Sequence, residues 1–167
     1  MDTSSVPGIR TGIGYDSHRF AAGGPLILGG VRIDADVHCA GHSDGDAVAH
    51  AVTDAVLGAA NAGDIGAMFP DSDPANKGRD SIEMLRNAAE RVRALGWAVT
   101  NVDVTIITER PKIAGYREGM AAALARALSV DASAVSVKGK TNEGMGWIGS
   151  GEGLAVIATA TLASARR

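Results

Sequence analysis

From residue 47 onward, apolar residues recur at steps of three and four: Ala47, Val48, Ala51, Val52, Ala55, Val56 and Ala59. That spacing predicts a helix with one apolar face, and every residue on the face is alanine or valine. The whole chain sets 22 glycines against two each of Phe, Tyr and Trp, so large rings cannot fill the interior. The core has to be built from Ala, Val, Ile and Leu, with backbones packed closely. Ser43 followed three residues later by Asp46 fits a helix-start box, which places the helix from about residue 44 to about residue 60. Asp46, His50 and Asp54 make a separate polar stripe along it. His42 precedes the start, at a mouth where free N–H groups attract anions.

At 167 residues the chain reads as a single domain over residues 1–167, with 46% hydrophobic and 21% charged residues as in a folded soluble protein. Net charge is -3 with no block of basic residues, which argues against nucleic acid or an anionic membrane as the main partner. Any phosphate it handles must be neutralised locally. The single cysteine, Cys39, excludes an intrachain disulfide and suits a reducing compartment. The N-terminus shows no basic region followed by an apolar stretch, and nowhere are eighteen apolar residues consecutive. The expectation is a cytoplasmic, unanchored protein.

Residues 9–20 read as a strand, in which Ile9, Ile13 and Tyr15 alternate with small or polar residues. Asp16 and His18 stand two apart and so point to one side, as two ligands offered to a metal or as exposed polar residues at a strand end. Gly29-Gly30 between residues 26–28 and 31–33 predicts a tight hairpin. The Gly-, Asp- and Pro-rich stretch of about twenty residues before Asp80 reads as a long loop. Its Asp64, Asp71 and Asp73 fit either sugar hydroxyls, a cation or plain solvated turns. Asp80 caps a second helix through Glu83, with Ile82, Leu85, Ala89, Val92 and Leu95 inward and Gly96 at its end. Residues 97–109 form the clearest strand, with Val102, Val104 and Ile106 on one face and Asp103, Thr105 and Ile107 on the other. Pro111 opens a third helix over residues 112–128, with Tyr116, Met120, Leu124 and Ala127 inward. Residues 109–112 then put cations at a helix start, fitting a phosphate, a base edge or an exposed cap. Residues 135–141 make a further strand, and residues 154–162 a last one buried on both faces. Between them, a loop with five glycines could cup an anion, beside the hydroxyl of Thr141 and the carboxylate of Glu143; a glycine-rich hairpin without a ligand fits equally well.

Asp16, His18 and His50 together give one carboxylate and two imidazoles, a set that suits Zn²⁺ with a fourth position open for catalysis. His42 stands two helical turns from His50, roughly 12 Å at 1.5 Å per residue, and so belongs with the substrate instead. Glu143 is a hard oxygen ligand of the kind Mg²⁺ or Mn²⁺ prefers beside phosphate oxygens. These residues point to metal-assisted attack on a diphosphate.

The stretches GYDSHRF, LILGGVRI, HSDGDAVAHAVTDAVLGAANAGDIGAMFPDSDPANKGRDS, NVDVTIITERPKI and KTNEGMGWIGSGEG resemble the 2-C-methyl-D-erythritol 2,4-cyclodiphosphate synthases of the non-mevalonate isoprenoid pathway, across residues 12–162. The resemblance implies an α/β (α+β) subunit with a four-stranded mixed sheet and helices on one face. Three such subunits would form a homotrimer, sheets facing the central axis and active sites between neighbours. The family's substrate is 4-diphosphocytidyl-2-C-methyl-D-erythritol 2-phosphate, and its products are the cyclodiphosphate and CMP. By that likeness Asp16, His18 and His50 bind Zn²⁺ on the β-phosphate, and Glu143 serves Mg²⁺ or Mn²⁺ bridging the α- and β-phosphates. His42 and Thr141 would hold the phosphates in the transition state. Ser17 and Ser43 would be among the residues that bind the substrate. Asp64, Ile65, Gly66, Phe69, Pro70, Asp71, Ser72 and Asp73 would hold the methylerythritol part. Thr108, Pro111, Lys112, Ile113, Ala114 and Lys140 would line the cytidine and phosphate pocket, Asn142 and Trp147 would also bind the substrate, and Trp147 could line an apolar chamber in the trimer cavity. Many members carry an arginine where this chain has Ser150, which implies weak or no binding of an isoprenoid phosphate in the trimer cavity. Lys140 and Asn142 stand where threonines are common.

Two other readings use the same residues. A metal-dependent phosphoesterase would direct water at the phosphate and release linear products, and a nucleotide sensor would bind without turnover.

Overall fold

In the computed structural model, which describes residues 8–41 and 43–165, the chain opens with strand β1 (Ile9–Ala22). Glycine sets how closely the first helix, α1 (Ala47–Ala59), can lie on it. A Cβ on Gly12 would run into the backbone of Ala55 and Ala59, and one on Gly14 into the carbonyl of Ala51. The alanine and valine face of α1 thus packs against bare backbone, as the scarcity of aromatics requires. Hairpin β2 (Leu26–Leu28) and β3 (Val31–Ile33) follows as expected. Both turn glycines take positive φ, 56° and 72°. The tip fits against Met120 and Val48 at Gly29, and against Ile82 and Ala123 at Gly30.

The main sheet has five strands, not four, in the order β4-β1-β7-β5-β6. The strand missing from the sequence reading is β4 (Val37–Cys39), which pairs antiparallel with the end of β1, Phe20 opposite Cys39 and Ala22 opposite Val37. Three residues are too few to show an alternation. Strands β5 (Trp97–Ile107) and β7 (Gly153–Ser164) pair antiparallel, β7 pairs antiparallel with β1, and β6 (Val135–Lys140) runs parallel to β5. The sheet is therefore mixed. Helices α1, α3 (Ser81–Ala94) and α4 (Arg117–Leu128) cover its inner face. The core lies between, built on Val48, Val52, Leu85, Val104, Ile106, Leu124, Leu154 and Leu162.

Several boundaries differ from expectation for identifiable reasons. Helix α1 starts at Ala47 with Asp46 as its cap, because Gly45 at φ 73° holds the chain out of the helix. Ser43 is no cap; its hydroxyl accepts from Gly45 N. Asp46 thus leaves the polar stripe and is fully buried. The long loop contains the short helix α2 (Ile65–Met68), capped by Asp64, and one 3₁₀ turn capped by Asp73. Helix α3 is capped by Asp80 as read, but Leu95 at its end is 54% exposed. Helix α4 begins at Arg117 after a 3₁₀ turn at Ala114–Tyr116, and Pro111 lies outside it. The Thr108 hydroxyl donates to Arg110 O, and Thr108 N donates to Lys140 O, keeping that segment against β6.

The last strand, read as buried on both faces, is buried on both only at its start, where Gly153 and Ala155 are covered, and from Ile157 onward on one. Leu154, Val156, Ala158, Ala160 and Leu162 face the helices, while Ile157 on the other face is 38% exposed. Ile13 at 70% and Tyr15 at 57% continue that uncovered face onto β1. Among the described residues no helix is long and apolar enough to cross a membrane.

Candidate metal and phosphate site

Strand alternation puts Asp16 and His18 on the helix side of β1, and the first turns of α1 carry His50 over them. The three offer ligand atoms that all lie within 4.8 Å of one another. Asp16 Oδ2 is 3.0 Å from His50 Nδ1 and 3.1 Å from His18 Nδ1. Two neighbouring ligands on a tetrahedral zinc, with bonds of about 2.0–2.1 Å, stand about 3.3 Å apart, so this spacing suits one small cation. His18 Nδ1 is moreover buried with no hydrogen-bond partner of acceptable geometry, as a nitrogen kept for a metal would be. The donor set and its spacing fit zinc.

Electrostatics agree with a charged cluster. Burial pushes the Asp16 carboxyl up, but the His18 and His50 imidazoles beside it outweigh that and leave the group below its usual range. Burial pushes His50 down, while its bond to Asp16 and the charges of Asp16, Asp46 and Asp44 raise it above its ordinary value. On its other edge, His50 Nε2 lies 2.8 Å from Ser81 Oγ and 3.0 Å from Ser43 Oγ.

A cavity of about 270 Å³ opens beside the cluster, lined by His18, Gly41, Ser43, His50, Ile65, Gly66, Phe69, Asp71, Asn76 and Met84. Asp64 Oδ1 accepts from Ala67 N at 2.7 Å, and Ile65 N donates to Asp54 Oδ1 at 2.7 Å, so α2 is fixed to α1 at the cavity rim. Pro70 O accepts from Asn76 Nδ2 at 3.0 Å, and Asp73 from Ala75 N at 3.0 Å, which shapes the exposed turn carrying Ser72. The Arg79 guanidinium sits 4.8 Å over the Phe69 ring.

A second cavity of about 220 Å³ is lined by Thr108, Pro111, Lys112, Ile113, Ala114, Arg117, Gly139, Lys140 and Thr141. Next to it, the glycine-rich loop is held by one carboxylate: Glu109 Oε1 accepts from Asn142 N at 2.8 Å and from Gly144 N at 3.3 Å. Between those two bonds Glu143 takes φ 53°, with Thr141 Oγ1 3.3 Å from its Oε1. Trp147 stands half exposed in the short helix α5 (Gly146–Gly149).

One chain does not bring the two cavities together. His18 pairs with Leu154, Ala155 with Ile107, and Ile107 with Lys140. The metal cluster and the Lys140–Glu143 end therefore share one end of the sheet but sit three strand spacings apart, about 14 Å. Ser17 lies exposed on the opposite face of β1 from Asp16, away from the cluster. His42, expected to hold phosphate, falls outside the described residues. Sequence reading missed Asn76, Met84 and Arg117 as lining residues, and Asp44, Ser81 and Glu109 as supports. Each support joins its partner across at least 31 positions of chain, and no local period signals that.

The comparisons with known proteins agree in extent and in kind. A protein of Gemmatimonas aurantiaca named 2-C-methyl-D-erythritol 2,4-cyclodiphosphate synthase is 64% identical over 154 residues, 92% of this chain and 93% of that one. The solved structure of Plasmodium falciparum IspF in a CDP complex superposes with a TM-score of 0.84 at 35% identity, over 97% of this chain and 100% of that chain. The bifunctional IspDF of Campylobacter jejuni gives a TM-score of 0.92 at 39% identity; 95% of this chain is covered, and 43% of that longer one. The model of the YgbB family matches residues 9–163, and the chain belongs to that family.

Proposed function

We propose that this chain converts 4-diphosphocytidyl-2-C-methyl-D-erythritol 2-phosphate to 2-C-methyl-D-erythritol 2,4-cyclodiphosphate and CMP. The observation that carries the reading is the convergence of Asp16, His18 and His50 beside a cavity that His18 and His50 line together with Ile65, Gly66, Phe69 and Asp71. The name of the Gemmatimonas relative and the CDP of the Plasmodium structure support the substrate class.

Asp16, His18 and His50 would hold Zn²⁺, and Glu143 with the substrate phosphates Mg²⁺ or Mn²⁺. Bound there, these ions supply positive charge against the oxygens of the diphosphate. Ile65, Gly66, Phe69 and Asp71 orient the methylerythritol end, with Asp64 and Asp73 fixing that segment through their caps. Thr108, Pro111, Lys112, Ile113 and Ala114 receive the cytidine, and Lys140 and Thr141 the phosphates. The 2-phosphate oxygen attacks the β-phosphorus as the bond to CMP breaks, so the chain has no protein nucleophile to supply. Cys39 matches that: burial, then the charges of Asp46 and Asp16, push its thiol up to about 12, leaving it inert. Holding two ends of one molecule in line supplies about 7–11 kcal/mol in favourable cases.

The working unit in this proposal is a homotrimer with each site between neighbours. Two features support it: the uncovered apolar face at Ile9, Ile13, Tyr15 and Ile157, and the separation of the two cavities within one chain. A cytoplasmic location follows from the pathway and from the lone free thiol.

Phosphorus NMR of the protein with substrate, Zn²⁺ and Mg²⁺ tests the activity. Cyclic diphosphate with CMP is the expected outcome. Linear phosphates would mean a phosphoesterase, and unchanged substrate with CDP binding a sensor.

A further inference from the structure

The reading of Asp16, His18 and His50 as a cation site leaves one matter open within the chain: what makes His50 present a nitrogen lone pair to the cation. A neutral imidazole carries one N–H and one acceptor, and the hydrogen bond at one nitrogen decides the state of the other. His50 has its Nδ1 turned to Asp16 and its Nε2 turned to the hydroxyls of Ser81 and Ser43.

Proton accounting at Ser81 settles the direction of that bond. Ser81 is completely buried at the first turn of α3. Its hydroxyl has one hydrogen, which it donates to Asp44 Oδ1 in a short bond. A carboxylate can only accept. The separation of 3.5 Å between the Ser81 and Ser43 hydroxyls offers that hydrogen no better course. Ser81 Oγ therefore meets His50 Nε2 at 2.8 Å as an acceptor, and Nε2 must be the protonated nitrogen. Asp44 is itself held in place, accepting from Ser81 N at 3.1 Å through Oδ2 and from Asp46 N at 3.1 Å through Oδ1.

We infer that Asp44 and Ser81 are positioning residues for the metal: together they fix the Nε2–H tautomer of His50, so that Nδ1 faces the cation as a ligand. Asp44 acts only through Ser81. The pair also ties the start of α3 to the segment before α1, so the ring is locked in rotation by two elements at once.

The inference rests on the metal reading, and the experiment separates the two. Zinc affinity is measured by competition with a chelator for the parent, Ser81→Ala, Asp44→Ala, Asp44→Asn and the Ser81→Ala/Asp44→Ala double variant. Unfolding of the metal-free proteins is followed in parallel. Ser81→Ala and Asp44→Ala should each weaken zinc binding by about 10–100-fold. The double variant should be no weaker than either single, because the effect runs along one chain of bonds. Asp44→Asn can place its oxygen at the Oδ1 position and keep the Ser81 hydroxyl bond, though its amide nitrogen cannot accept from Ser81 N, so it should lose clearly less affinity than Asp44→Ala. In zinc-loaded parent protein, labelled with ¹⁵N at histidine, the Nε2–H of His50 should be protected from exchange, and it should lose that protection in Ser81→Ala.

A parent that binds no zinc would overturn the metal reading itself. A parent that binds zinc with Ser81→Ala equally tight would overturn the inference alone, as would additive losses in the double variant. Should Ser81→Ala not fold, Asp44→Ala against Asp44→Asn decides the point: equal loss in both would mean that the Asp44 charge, not the bond to Ser81, is what matters.

Discussion

Replacing Asp46 should be the most damaging single change outside the substrate cavities. Its Oδ1 accepts from Gly29 N at 2.7 Å and Ala49 N at 3.0 Å, and its Oδ2 accepts from Gly30 N at 2.7 Å. One carboxylate thus caps α1 and pins the hairpin tip that wedges among α1, α3 and α4. Asp46→Ala strands three backbone donors, at about 1–3 kcal/mol each when buried. Losing the carboxylate removes part of that cost, because burial, ahead of the opposing bonds from Ala49, Gly30 and Gly29, pushes its pKa up to about 6. A net loss of about 3–5 kcal/mol remains, or a melting temperature lower by about 6–20 °C for a domain this size. Asp46→Asn keeps an oxygen for two of the donors and should lose about 1–2 kcal/mol. The assay is thermal and urea unfolding of the metal-free protein. The pH dependence has a definite sign. The folded pKa, about 6, lies above the ordinary 3.8, so the folded state holds this proton more tightly. Stability from this group is greatest below pH 3.8 and falls as pH rises toward 6. The advantage of the parent over Asp46→Asn should shrink across that window. An Asp46→Ala protein melting within experimental error of the parent would refute the reasoning.

Three further outcomes follow from the geometry. His50→Ala should lose both zinc and turnover, while Glu143→Gln should keep zinc and lose activity, as judged by metal analysis and CMP release. Gly14→Ala puts a methyl into the Ala51 carbonyl and should cost about 1–3 kcal/mol or more, read by urea unfolding; a neutral effect would mean that α1 can move off the sheet. Tyr15→Asp, on the uncovered sheet face, should shift the sedimentation of the protein toward monomer and lower turnover together, and an unchanged trimer would remove this face from the interface.

What could be read in the sequence was what depends on local period. Alternation alone placed Asp16 and His18 on one side of β1, and Gly29-Gly30 announced the hairpin by its need for positive φ. The three- and four-residue recurrence found α1, but its start was misjudged by three residues, since Ser43 and Asp46 satisfy the spacing of a box that Gly45 prevents from forming. What stayed hidden is what chain folding brings together from afar. Nothing near Ser81 announces His50, and nothing near Asp46 announces the hairpin amides seventeen and sixteen residues away. Strand β7 misled in another way. Its uniform run of apolar and small residues reads as doubly buried, yet within one chain the odd-numbered side is covered only at Gly153 and Ala155 and lies open at Ile157 and Thr159. The hydrophobicity of the other side becomes intelligible if further copies of the chain cover it.

In the proposed reaction one phosphate of the substrate attacks another and water does not. Turnover in ¹⁸O-labelled water, with products weighed by mass spectrometry, tests it most directly. Attack by the 2-phosphate gives a cyclic diphosphate and CMP that both carry no label. A linear phosphate product carrying one ¹⁸O atom would contradict it.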